Sequence, residues 1–320
     1  MMDWTDRHCR VFHRAISRHT RLYTEMITAP ALVRGGAWHL LAHEASEHPL
    51  TVQLGGSDPA ELAAATRICA GEGFDEVNLN VGCPSDRVRS GCFGAVLMRQ
   101  PKLVGECVAA MAAAAPDARV TVKCRIGVDD QDPQEVLPAF LDTMAQAGVR
   151  HVAIHARKAW LQGLSPKENR DIPPLDHALV MQMKREFPHL EIAVNGGITT
   201  LNEARQFLAS GIDGVMVGRA AYHTPYDMLA RADREIFAGA APVPERTAIV
   251  ARMKPYIARH LAQGGRLHSV TRHMLGLFAG QPGARGWRRV LSEGAQAQGA
   301  GLEVLDAALG CVLPEDVAAS

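Results

Sequence analysis

Cys83 stands between Gly82 and Pro84, just past the apolar run "EVNLNV" that begins at Glu76. A thiol at the end of a strand can be a small buried hydrophobe, a metal ligand, half of a disulfide or an acid–base catalyst. The seven cysteines are odd in number and none is spaced as CxxC. That usage fits free thiols in a reducing, cytoplasmic compartment and gives no zinc framework. His39 and His43 have i,i+4 spacing, but no third ligand stands near them, so no metal site is expected.

Other hydrogen-bonding residues close similar runs. Gln53 ends "TVQ", Asn78 and Asn80 alternate in "VNLN", Lys123 and Arg125 in "TVKCR", and His155 and Arg157 in "AIHAR". Asn195 precedes the pair Gly196-Gly197, and Arg219 follows Gly218. Period-two spacing puts each alternating pair on one side of a strand. Singly, each such residue reads as well as a group satisfying loop backbone. Together they point to one shared polar site above an apolar core.

The elements that would hold them are legible. Seven apolar, β-branched runs occur at 22–28, 50–56, 76–82, 119–127, 151–157, 191–197 and 214–220. Helix-like segments lie between most of them. Asp58-Pro59 and Asp132-Pro133 are N-cap and N1 pairs, and Gly71, Gly148 and Gly211 read as helix stops. Strand–helix alternation means parallel strands with crossover helices, and seven units suit a (β/α)8 TIM barrel whose first strand would precede Trp4. In that architecture the active site lies at the C-terminal ends of the strands. Beyond the Ala/Pro-rich stretch 237–248 the β runs stop and the pattern is helical. Residues 1–235 are thus read as the barrel and 245–320 as an all-helical domain.

The last two strand ends add a second indication. The glycines of "VNGGI" and "VGRA" suit close backbone approach, and loops after the last two barrel strands are the usual phosphate site, with Thr199-Thr200 opening the next helix. Arg219 can add a charge-assisted contact. A lysine and a glutamine from other strands suit a flavin, whose reduced ring a lysine can stabilise. The alternative for Lys123 is a salt bridge inside the barrel.

Composition excludes little. Lys+Arg and Asp+Glu balance at 34 each, so net charge names no partner. No apolar run is long enough to span a membrane, and the charged N-terminus is no signal peptide.

The strings "MMDWTDRHCR", "VQLGGSDP", "NLNVGCPSDRV", "VKCRIGVDD", "HARKAWLQGLSPKENRDIPPL", "GVMVGRAAY" and "TRHMLGLFAGQPGARGWRRVLSE" run over nearly the whole chain. They resemble the tRNA-dihydrouridine synthases, in particular the A subfamily. The resemblance implies an FMN-dependent barrel with a C-terminal helical domain. It also implies reduction, by NADPH or NADH, of uridines 20 and 20a in the tRNA D-loop, with no protein partner. By the same resemblance Gln53, Lys123 and His155 contact FMN. Asn195, Gly196, Gly197, Gly218 and Arg219 hold its phosphate, and Cys83 is the general acid. Asn80, Lys167, Arg170, Arg285 and Arg288 match positions that touch tRNA. Relatives open with a strand ending in Met-Met, so Met1 and Met2 are expected against the flavin. The first strand itself is either truncated here or lost to a misassigned start. In the implied chemistry hydride adds to C6 of an extruded uridine and Cys83 protonates C5. A thiol of pKa about 8.5 can donate that proton at neutral pH.

Between Arg246 and Val290 there is no Asp or Glu, while Arg246, Arg252, Lys254, Arg259, Arg266, Arg272, Arg285, Arg288 and Arg289 occur. Such a stretch favours a polyanion partner. Arg87 and Arg89 after Cys83, with Arg157 and Lys158, would extend it to the site mouth, and Trp160 reads as a packing residue. Two rival readings are a flavin barrel reducing a free enone or pyrimidine, and a tRNA-binding protein that has lost catalysis. Salt-dependent tRNA binding argues against the first, and a yellow protein bleached by NADPH against the second.

Overall fold

The structure, a computed structural model, describes residues 1–85 and 93–313; Arg87, Arg89 and Cys92 lie outside the described residues. The seven runs are strands: β1 (Leu22–Thr28), β2 (Leu50–Gly55), β3 (Glu76–Val81), β4 (Arg119–Arg125), β5 (His151–His155), β6 (Glu191–Asn195) and β7 (Gly214–Met216). They form one parallel sheet in sequence order, as crossover helices require. Residues 1–5 form a turn closed by the Trp4 and Thr5 amides on the Met1 carbonyl. Met1 reaches the far end of the sheet, where a Cβ on Gly218 would meet its sulfur at 3.2 Å.

The helix starts follow the sequence. Asp58 accepts the Glu61 amide at 2.8 Å and Asp132 the Gln134 amide at 2.9 Å, each with proline at the next position. Gly148 and Gly211 end their helices with φ of 92° and 97°. Gly71 does not: its helix runs Pro59–Gly71, and the left-handed residue is Gly73, with φ 85°. Only the residue that reverses the chain needs a positive φ, and that reversal comes two residues later.

Outward-facing Val52, Leu54, Val77, Leu79, Val122, Cys124, Val152, Ile154, Ile192 and Val194 are fully buried against the flanking helices. Each such aliphatic side chain contributes roughly 1.5–3 kcal/mol. The inward face differs from the expected apolar core. Thr51, Glu76, Asn78 and Thr121 are buried there and polar well below the strand ends.

A second core surrounds Trp287, whose Nε1 donates to the Met274 carbonyl at 3.1 Å. The helices Arg246–Ala262, Leu267–Thr271, Ala284–Gly294 and Leu302–Gly310 build it. Phe12 and Ile16 of the helix Arg7–Ile16, with Ala221, Met228 and Leu229, complete it. The N-terminal helix is therefore packed on the C-terminal ones. Among the described residues no helix is long and apolar enough to cross a membrane.

Asp6 pins that contact. Its carboxylate caps the helix at Cys9 N (3.0 Å) and meets Arg272 at 2.5 Å and His273 at 3.0 Å. Burial alone would raise its pKa, but His273, the Cys9 amide and Arg272 outweigh burial and hold the carboxyl well below its usual range. A carboxylate with a depressed folded pKa stabilises above its unfolded pKa, near ~3.9, and loses that contribution as pH falls. Asp6→Asn should therefore be clearly less stable than wild type to urea at pH 7, with the gap narrowing towards pH 3. An equal gap at both pH values would locate the effect elsewhere.

Candidate active site

The polar residues converge at the C-terminal ends of the strands. On β2 and β3 the Asn80 amide donates to Gln53 Oε1 at 2.8 Å, and Gln53 Nε2 donates to Asn78 Oδ1 at 2.9 Å. Asn80 Oδ1 in turn accepts the backbone N–H groups of Gly82 (3.0 Å) and Cys83 (2.9 Å). The turn bearing the thiol is thus set by a side chain three residues before it. Cys83 is a free, half-buried thiol, with its sulfur 3.5 Å from Ser85 Oγ.

Arg125, at the end of β4, fixes the same turn from the other side. Its Nε donates to the Gly82 carbonyl at 3.1 Å. Its Nη1 donates to the carbonyls of Lys158 (3.1 Å) and Asn169 (3.0 Å). Burial lowers its pKa to about 10, which leaves it charged at neutral pH. Asn169 is fully buried and ties off the loop after β5 through both backbone groups of Trp160. Trp160 is not a packing residue. It is 40% exposed, with the Lys158 ammonium 5.5 Å above its ring, because Asn169 holds its backbone and leaves the indole outside.

Lys123 makes no hydrogen bond or ion pair among the described residues, so the internal salt bridge is not formed. Burial, then the charge of Arg125, pushes its ammonium down to about 8. His155 is buried with Nδ1 unpartnered. Burial first, then Arg125, Lys123, Arg157 and Arg219, lowers its pKa well below the ordinary value, so the imidazole is neutral at pH 7. Among the described residues, the carboxylate in contact with these cations is Asp171, 2.7 Å from Arg219. Asn195 joins the ends of β6 and β7 by donating to the Met216 carbonyl at 2.7 Å.

The next two residues, Gly196 and Gly197, have φ of 107° and 74°. A Cβ on Gly196 would meet His155 at 3.2 Å, and one on Gly197 would collide with Leu175. At the start of the helix Leu201–Ala209 the Thr199, Thr200 and Glu203 amides are already taken. Thr200 and Glu203 form a capping box, and Glu203 also takes the Thr199 amide at 2.7 Å. A cradle at this end is left to the glycine turns.

The residues matched to RNA contact divide. Asn80 faces Gln53 and the Cys83 turn. Arg170 lies beside the site, its carbonyl 3.4 Å from Arg219, and Lys167 opens the same short turn, exposed. Arg285 and Arg288 are exposed on the helix Ala284–Gly294, and no described contact joins them to the strand ends. Arg289 shares the side of Arg285 by its i,i+4 spacing, is exposed and has no described partner. The rest of the acid-free stretch is largely engaged. Arg246 meets Asp227, Lys254 meets Asp306, Arg259 meets Glu44 and Arg272 meets Asp6. Each acid comes from outside the stretch, which is why a window of sequence overstated the free charge.

Sequence reasoning placed Arg125 on the right face without its clamp, and missed Asn169 and Glu76. Glu76 was recoverable, because it continues the two-residue period of Asn78 and Asn80 to the start of β3.

A family model for dihydrouridine synthase (Dus) matches residues 1–312. A Vibrio cholerae protein named tRNA-dihydrouridine(20/20a) synthase is 56% identical over 310 residues, covering 97% of this chain and 94% of that one. A protein of the same name from Escherichia coli K12 is 55% identical, covering 97% and 89%. Among solved structures, the old yellow enzyme homologue from Zymomonas mobilis aligns with a TM-score of 0.51 at 13% identity, covering 78% of this chain and 88% of that one. At that identity the likeness speaks for the fold alone.

Proposed function

The chain belongs to the dihydrouridine synthase family, and from that premise we propose that it reduces uridines 20 and 20a of tRNA to dihydrouridine, with FMN as cofactor and NADPH as reductant. The curled sheet is read as strands two to eight of a (β/α)8 barrel spanning residues 1–235, and residues 245–320 as a helical tRNA-binding domain. The relatives' shared name supports the substrate. The observation that carries the reading is the pairing of a half-buried thiol with a cluster of cationic side chains at the strand ends. Among the described residues Lys123 has no partner, His155 Nδ1 is orphaned, and the cations around them outnumber the acids. An anionic, hydrogen-bond-accepting cofactor would satisfy all three.

Lys123, Gln53 and His155 would hold the flavin ring, and the turns at Gly196-Gly197 and Gly218, with Arg219, its phosphate. Met1, set against Gly218, would cover that side, while Met2 is more exposed. A flavin bound there would supply the hydride for uracil C6. Addition there leaves enolate charge over C5 and O4, and Cys83 gives its proton to C5. Asn80 and Arg125 hold the backbone of that thiol still, which fixes the face of the base that is protonated. Arg170, Lys167 and the exposed Arg285, Arg288 and Arg289 of the helix Ala284–Gly294 would take the tRNA backbone. The uridine must leave its stack to reach the site.

The test is dihydrouridine mapping in tRNA from a deletion strain complemented with this gene. Restoration at 20 and 20a supports the reading, and restoration elsewhere or nowhere defeats it. A further expectation concerns Lys123. An anionic ligand favours the charged ammonium, so FMN affinity should fall as pH rises through about 8. Lys123→Met should bind FMN more weakly at pH 7 and lose that pH dependence. Fluorescence titration between pH 6.5 and 9.5 checks both.

A further inference from the structure

Below the strand ends, the inward face of the sheet holds a hydrogen-bond chain that ends far from the thiol. Asn80 donates to Gln53, Gln53 to Asn78, Asn78 Nδ2 to Thr121 Oγ1 at 2.8 Å, and the Thr121 hydroxyl to Glu76 Oε1 at 2.8 Å. Glu76 is fully buried. Its other oxygen has no hydrogen bond among the described residues and lies 3.9 Å from Arg21 and 4.0 Å from Arg119. Tyr23 also donates to Oε1, at 3.1 Å.

The two ends of this chain are chemically unlike, and that fixes its direction. A carboxylate only accepts, so Thr121 must donate to it and keep a lone pair for Asn78. Asn78 must then turn its NH2 downwards and its oxygen to Gln53, and Gln53 must do the same towards Asn80. At the top, the Gly82 and Cys83 amides only donate, so Asn80 must turn its oxygen to them. Both ends demand the same orientation of every amide. Chains that run one way polarise each link in the same sense, and a single reversed member leaves two donors or two acceptors facing each other.

We propose that Glu76, acting through Thr121 and Asn78, is a positioning residue for the reaction: its carboxylate sets the direction of the chain that orients Gln53 and Asn80 and so holds the Cys83 turn. The inference rests on the function proposed above for its catalytic meaning, though not for its structural one. Thr121→Val keeps the shape but removes the link, leaving Asn78 Nδ2 with no acceptor. Thr121→Ser restores the hydroxyl. Glu76→Gln attacks the same chain from below. The nearby Arg21 and Arg119 draw the new amide's oxygen towards themselves and point its NH2 at Thr121, which reverses the lower links while the upper ones stay pinned.

The experiment has two readouts. The first needs neither flavin nor tRNA. It is the rate of iodoacetamide labelling of Cys83, followed by peptide mass spectrometry in the folded, flavin-stripped protein. The second, in the holoenzyme, compares flavin reduction by NADPH with reoxidation by tRNA. Thr121→Val and Glu76→Gln should each change Cys83 labelling at least threefold and slow tRNA-dependent reoxidation about tenfold, with flavin reduction within twofold. Thr121→Ser should match wild type within twofold in both. Labelling and reoxidation unchanged in both variants, or Thr121→Ser behaving like Thr121→Val, overturns the proposal. Should wild type prove inactive on tRNA, the functional reading falls while the labelling comparison still decides the chain. Should Thr121→Val not fold, Glu76→Gln decides it alone.

Discussion

Cys83→Ala is expected to bind FMN, to be reduced by NADPH at the wild-type rate, and to form dihydrouridine at least 10²-fold more slowly, the lower end of what a positioned general acid contributes. The separation follows from where Cys83 sits. Its side chain meets Ser85, and only its backbone amide joins the network that runs through Asn80 to Gln53. Removing the sulfur therefore leaves that amide, and the residues proposed to face the cofactor, in place. What it removes is the proton for C5. Stopped-flow absorbance would resolve the two half-reactions: bleaching by NADPH unchanged, recovery on tRNA slow. Cys83→Ser should be nearly as impaired, because a hydroxyl is a far weaker acid than a thiol. If Cys83→Ala reoxidises on tRNA at the wild-type rate, another group delivers the proton. A loss of flavin binding would instead make the thiol part of the cofactor's cradle.

The contrast between what the sequence discloses and what it conceals has a physical basis. The strands were legible because outward positions such as Val77, Leu79 and Val81 must be apolar to pack on helices, while Asn78 and Asn80 between them must not be. Period two then exposed the strand-end residues one strand at a time. Contacts between distant segments left no such trace. Asp6 meets Arg272, and Glu44 meets Arg259, across more than 200 positions, so the acid-free stretch looked barer of counter-charge than it is. The N-terminal helix joins the Trp287 core for the same reason. Its Phe12 and Ile16 mark an apolar face without saying what covers it. Residue type also concealed direction. An asparagine at the end of a strand reads as a ligand contact, but the sequence does not show that Asn80 also accepts the Gly82 amide or that Asn195 also donates to the Met216 carbonyl.

Arg125→Met should destabilise the protein by about 3 kcal/mol or more and slow catalysis in excess of its effect on flavin affinity. The guanidinium meets three carbonyls, that of Gly82 in the Cys83 turn and those of Lys158 and Asn169 at two points of the loop after β5. Each left unsatisfied in a buried site costs roughly 1–3 kcal/mol. Methionine fills the volume but offers no donor, so the cost isolates the hydrogen bonds from the packing. Arg125→Lys should recover only part of it, because a compact ammonium cannot reproduce the planar fork that reaches Gly82 on one side and two loop carbonyls on the other. The functional consequence is geometric. Releasing Gly82 frees one side of the Cys83 turn, and releasing Lys158 and Asn169 loosens the loop that bears Lys167 and Arg170. A misplacement of about 1 Å at a reacting group can cost 10²-fold in rate. Cys83 and the residues proposed to touch tRNA would move independently, so tRNA-dependent reoxidation should fall by that order while flavin affinity, which draws on Gln53, Lys123 and the glycine turns, changes far less. Denaturation midpoints for wild type, Arg125→Lys and Arg125→Met should rank in that order, and the reoxidation rates should rank with them. An Arg125→Lys enzyme equal to wild type in both would show that charge alone, without the fork, holds the Cys83 turn and the loop after β5 together.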